Sequence, residues 1–60
     1  MTDLDFSLGA RVRGLRKERE LSQRELAELA SLSPNAISLI ERDEISPSVA
    51  TLQRLAAALD

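Results

Sequence analysis

Five of the eight basic residues, Arg11, Arg13, Arg16, Lys17 and Arg19, fall within nine positions, a density of cations able to neutralise phosphate or to pair with carboxylates. Acids gather at Asp3 and Asp5, along Glu18 to Glu28, and at Glu41 to Glu44, so the formal charge is −2. That total argues against nucleic acid, because Lys and Arg neutralising phosphates supply most non-specific affinity for DNA, whereas the local clustering argues for it. A mixed, solvated helix face is the plainer reading of any one charge. Thiolate chemistry and disulfide pairing are excluded and the usual proton shuttle and neutral metal ligand are missing, since the chain has neither cysteine nor histidine. The remaining acid–base groups are surface carboxylates without a visible partner. Enzymatic activity is therefore not expected, and no cofactor or metal is implied.

These groups need short helices to position them. Leu8, Val12 and Leu15 recur at helical spacing and predict a helix over about 8–19, with Ser7 as its cap. Ser22 followed by Glu25 forms a capping box, and Leu26, Ala27 and Ala30 give the helix it opens, about 23–30, one apolar face. Ser33-Pro34 is another start signal, since proline at the first helical position gives up no needed amide. Ile37 and Ile40 define that third helix, about 34–41. The stretch Arg42 to Pro47 reads as a polar loop with Ile45 as its one apolar anchor, and Ser46-Pro47 breaks helix. Ser48 caps a last helix over about 49–59, whose Leu52, Leu55, Ala56 and Leu59 make an apolar stripe.

The expected architecture is all-α: a small bundle of four or five helices, with an N-terminal arm at 1–7 and one domain over 8–60. A sixty-residue core buries only about 60% of the unfolded chain's surface, so stability rests on packing and caps. No apolar run approaches the ~20 residues needed to span a bilayer, and Met1 to Asp5 is acidic rather than signal-like, which points to the cytoplasm. The last helix runs to the final residues, as expected of a piece of something longer.

Two short helices joined by about three residues cross steeply, which is the geometry of a helix-turn-helix and turns the second of them outward. Small residues at Ala27 and Ala30 permit the close approach, with Leu32 filling the space beneath the turn. The run from Leu21 to Arg42, LSQRELAELASLSPNAISLIER, resembles the lambda-repressor-like (Cro and Xre type) helix-turn-helix family. Arg16 before it, and Ser46-Pro47-Ser48 with Thr51-Leu52 after it, extend the likeness over about Leu8 to Asp60. The resemblance implies a sequence-specific transcription regulator, often a repressor, that binds double-stranded DNA as a homodimer. Any effector is then expected to be bound by a domain outside this chain.

Carried over by position, the resemblance implies base contacts from Asn35, Ala36, Ser38 and Leu39, on the outward side of the third helix. It implies phosphate contacts from Gln23, Ser33, Arg42, Ser46 and Ser48, with Arg11 and Arg13 as weaker candidates. Pro34 departs from the polar, base-reading residue common there. Arg16 and Glu41 match a partly buried ion pair joining the first helix to the end of the third; the local alternative is Arg16 with Glu20 at i, i+4. Glu20, Ser31 and Asp43 stand where relatives usually carry a helix-ending glycine, so left-handed backbone at these sites is strained. The competing function is a protein-interaction bundle that keeps the fold without DNA contacts, as in antitoxin-like partners, and the −2 charge favours it.

Overall fold

The computed structural model describes residues 7–60. Four helices follow in order, α1 (Leu8–Glu18), α2 (Gln23–Ala30), α3 (Pro34–Glu41) and α4 (Val49–Leu59), and the described residues contain no strand. The expected arm lies, apart from Ser7, outside the described residues.

Each helix begins on a serine whose hydroxyl oxygen accepts the backbone N–H three residues on: Ser7 from Ala10, Ser22 from Glu25, Ser33 from Ala36 and Ser48 from Thr51. Such a cap satisfies one of the first amides, which have no partner inside the helix, and is worth about 1 kcal/mol. At Ser22 the box is reciprocal, since Glu25 accepts from the Ser22 amide at 2.8 Å. Pro34 fills the first position of α3.

The ends of α1, α2 and α3 share one geometry. Glu20, Ser31 and Asp43 adopt φ of 56°, 59° and 58°, and each turns the chain sharply. The next amides, of Leu21, Leu32 and Glu44, then donate back to the carbonyls of Arg16, Ala27 and Leu39 at 2.8 to 3.1 Å. These are Schellman closures without glycine, so each non-glycine residue carries a left-handed cost of roughly 1 kcal/mol.

The core comprises Val12 from α1, Leu26, Ala27 and Ala30 from α2, Ile37 and Ile40 from α3, and Leu55 and Leu59 from α4. Leu32 packs against it from the turn. Leu26, Ile37 and Ile40 are sealed from solvent, and full burial of each contributes about 1.5 to 3 kcal/mol. Contacts join α2 to α3, α1 to α3 and α2 to α4, with thinner packing between α1 and α4. That thinness leaves an apolar groove of about 290 Å³ floored by Val12, Leu15, Leu52 and Leu55. Of the apolar stripe on α4, Leu55 and Leu59 enter the core, while along the groove Leu52 is half-buried and Ala56 exposed. One expectation is corrected here. Ile45 does not anchor the loop but stands 44% exposed.

Among the described residues, no helix is long and apolar enough to cross a membrane.

Candidate nucleic-acid interface

The site is built on the two faces of α3. Ile37 and Ile40 are buried, and the side chains before and between them are less covered: Asn35 is exposed, while Ala36, Ser38 and Leu39 are half-buried. A helix turns 100° per residue, so anchoring two positions three apart leaves the opposite face free. The Asn35 side chain makes no hydrogen bond among the described residues, and so keeps its two donors and its acceptor available. Ser33, exposed at the N-terminus of α3, accepts from Ala36 and retains its hydroxyl hydrogen.

The C-terminal end of α3 is held instead by a dense polar joint. Arg16 of α1, 9% exposed, donates from Nε to Glu41 Oε2 at 2.6 Å and from Nη2 to Glu41 Oε1 at 3.0 Å, a two-pronged pair. Its Nη1 reaches the Leu21 carbonyl at 2.8 Å, so one guanidinium ties α1, the α1–α2 turn and α3 together. Arg16 pairs with Glu41, and among the described residues it forms no ion pair with Glu20. Gln23 joins the same group, donating from Nε2 to Glu41 Oε1 at 3.1 Å. Burial pushes the Glu41 carboxyl up, but the hydrogen bonds from Arg16 and Gln23 and the charges of Arg16 and Arg13 prevail and hold it below the usual carboxylate range. The hydrogen bond to Glu41 correspondingly raises the Arg16 guanidinium.

A second tie lies at the start of α1. The Gly9 amide donates to Asp43 Oδ1 at 3.0 Å, so the residue that closes α3 also caps α1. Here the positive end of one helix dipole faces the carbonyl end of another. A Cβ at Gly9 would stand 2.5 Å from the carbonyl oxygens of both Ile40 and Glu41, and no backbone carbonyl yields that much. Glycine is required for this approach. Gly14, one helix face away, has open space instead. Sequence reasoning missed both this contact and the one between Gln23 and Glu41. A glycine inside a predicted helix was the available signal, since it weakens the helix unless packing needs it.

Between α1 and α3 opens a polar cleft of about 280 Å³. Arg13, Arg16 and Lys17 line it from α1, Gln23 from the start of α2, and Ser38, Glu41 and Arg42 from α3 and its cap. The cleft brings together Gln23 and Arg42 from the expected phosphate set. Ser46 and Ser48 do not line it: both are exposed in the loop before α4, and the Ser48 hydroxyl is engaged with Thr51 as donor and acceptor. Arg11 and Arg13, two residues apart and so on different helix faces, part company. Arg13 borders the polar cleft and Arg11 the apolar groove. Lys17 was not foreseen here at all.

A helix-turn-helix family model matches residues 12–60. The chain is 46% identical over 55 residues to the transcriptional regulator PuuR of Escherichia coli, covering 92% of this chain and 30% of PuuR. It is 47% identical over 54 residues to the immunity repressor protein of Bacillus phage phi105, covering 90% of this chain and 38% of that one. Among solved structures, the restriction-modification controller protein C.AhdI of Aeromonas hydrophila superposes with a TM-score of 0.87 at 38% identity, covering 88% of this chain and 80% of the controller. The chain thus spans about a third of the length of these two curated relatives.

Proposed function

The chain belongs to the Cro/Xre-type helix-turn-helix family, and from that premise we propose that it is a DNA-binding module of a transcription regulator, reading an operator with α3 in the major groove. One observation carries this reading. The buried pair Ile37 and Ile40 fixes α3 to the bundle while Asn35, at its outer N-terminal end, is exposed and has no hydrogen-bond partner among the described residues. Asn35 gives and takes a hydrogen bond with adenine N6 and N7, a contact worth about 1 to 3 kcal/mol of discrimination. Leu39 meets a thymine methyl, and Ala36 and Ser38 complete the base-facing surface.

Phosphates are held at the margins. The amides of Gln23 and Arg24, first in α2, have no acceptor among the described residues and offer the electropositive end of that helix. The Gln23 amide nitrogen commits one hydrogen to Glu41 and keeps its second for a phosphate oxygen. Ser33, Arg42 and Ser46 supply further backbone contacts, and Ser48 adds one by turning its hydroxyl hydrogen from Thr51 to the phosphate. The regulator binds as a homodimer whose two copies of α3 enter successive major grooves about 34 Å apart on a pseudo-palindromic site. It is a cytoplasmic repressor without catalytic activity.

Selection of bound duplexes from random sequence tests this reading, followed by two substitutions in the same protein. Asn35→Ala loses discrimination at one base pair, by about ten- to a hundredfold, whereas Gln23→Ala weakens all sequences alike. No enrichment of any sequence, or equal loss on all sequences for Asn35→Ala, would overturn it.

A further inference from the structure

The side chains that α3 leaves uncovered restrict which bases it can read. We infer that α3 reads its half-site through one adenine and, about two base pairs along, the C5-methyl group of a pyrimidine, so that 5-methylcytosine serves there in place of thymine and α3 does not select guanine. This inference rests on the DNA-binding reading and names the base chemistry that the same surface accepts.

From Pro34 to Ile40 the helix carries no charged residue, and Asn35 is its one side-chain amide. Guanine is most often read by the grip of Arg or Lys on O6 and N7, and no residue of that stretch can supply it. Arg42 stands at the far end of α3 as its cap, where the Ser38 carbonyl accepts from its Nε at 3.4 Å and Glu44 pairs with its Nη1 at 3.6 Å. A recognition helix meets base edges with its N-terminal residues, which leaves Arg42 at the margin of the site.

The apolar groups are placed as selectively as the charges. With about 100° of turn per residue, Asn35 lies opposite the buried Ile37 and Ile40, and Leu39 follows one turn later on the same side. Ser38 turns instead toward the polar cleft against α1. Four residues of helix rise about 6 Å, close to the rise of two base pairs at about 3.4 Å each. Leu39 has no polar atom in its side chain, so in the major groove it favours a methyl group and would leave any donor or acceptor unpaired. Thymine and 5-methylcytosine carry that methyl at the same ring position, whereas uracil and unmodified cytosine carry hydrogen. Burying one methyl against Leu39 corresponds to about fourfold in affinity.

The test takes the 60-residue chain and the duplex it selects from random sequence, and measures binding by fluorescence anisotropy. Deoxyuridine replaces each thymine in turn and is expected to weaken binding about fourfold at one position in each half-site, with little change elsewhere. At that position 5-methylcytosine is expected to bind within about twofold of thymine, and unmodified cytosine about fourfold more weakly than its methylated form. Leu39→Ala is expected to abolish these differences, with circular dichroism confirming that the helices persist; the modified-base series on the parent chain needs no variant. Equal affinity for thymine and deoxyuridine at every position would overturn the inference and leave the DNA-binding reading standing. So would strict selection of guanine at the base pairs where Asn35→Ala or Leu39→Ala loses discrimination. A fourfold methyl effect that survives Leu39→Ala would overturn it as well, since the methyl would then be read elsewhere. No duplex selected or bound by the parent chain would defeat the DNA-binding reading itself.

Discussion

The two ends of α3 are built on opposite plans. At its C-terminal end Glu41 takes hydrogen bonds from Arg16 and Gln23, Asp43 takes one from Gly9, and two backbones pass too closely for any side chain but hydrogen. At its N-terminal end Asn35 is exposed and the local hydrogen bonds amount to the Ser33 cap. The rigid joint fixes the helix, and the free donor and acceptor groups of Asn35 lie at its other end. A recognition surface must keep its polar groups unsatisfied until the partner arrives, so its geometry has to be enforced from elsewhere.

If that contrast is correct, the largest effects on stability lie in the joint. Arg16→Ala or Glu41→Ala strands a largely buried charge and is expected to cost roughly 3 to 5 kcal/mol, against a total of about 3 to 9 kcal/mol for a domain of this size. A double-mutant cycle read by urea unfolding isolates the pair, and a coupling near zero would remove the joint from the account. Next, Gly9→Ala forces the α1 and α3 backbones apart at a cost of about 1 to 3 kcal/mol or more. Gly14→Ala, in open space, gains about 0.5 to 1 kcal/mol from helix propensity. Equal responses from the two glycines would show the close approach to be unimportant.

Smaller changes separate the three left-handed residues. Glu20→Gly and Ser31→Gly relieve the positive φ and are expected to stabilise by about 0.5 to 1 kcal/mol in thermal melts. Asp43→Gly gives no such gain, because it also deletes the acceptor for the Gly9 amide. The last test is a slope in pH. Glu41 is held below its ordinary range in the fold, so its contribution is complete above the unfolded value of about 4.3 and is lost as pH falls through the lower folded value. Unfolding free energy should therefore decline in acid, and Glu41→Gln should flatten that decline.

Much of the scaffold was legible because its signals are local. A serine before a helical apolar period, with proline or a glutamate at fixed offsets, names a helix start without reference to the rest of the chain, and all four caps lie at such serines. The outward side of α3 followed from the resemblance, which matched Asn35, Ala36, Ser38 and Leu39 by position, with Ile37 and Ile40 facing inward. What escaped depends on which helix meets which. Gly9 and Gly14 look alike in sequence, yet one meets two carbonyls and the other meets nothing. Periodicity placed Ala56 on one stripe with Leu55 and Leu59 because it counts apolar positions on a helix and not whether a neighbour covers them. The resemblance gave Gln23 as a phosphate contact, and its bond to Glu41 spans 18 residues that no local rule connects. The resemblance carried Arg16 and Glu41 as a pair, whereas spacing alone offered Glu20 equally well.

The central claim is that the outer face of α3 meets DNA while its other end stays fixed. Mapping the backbone amide resonances of the chain during titration with the selected duplex tests it most directly. The account predicts shifts at Gln23 and Arg24, from Ser33 through Leu39, and at Arg42, with Gly9 and the α4 amides little changed. Shifts confined to Leu8, Leu15, Leu52 and Ala56, along the apolar groove, with α3 silent, would contradict it.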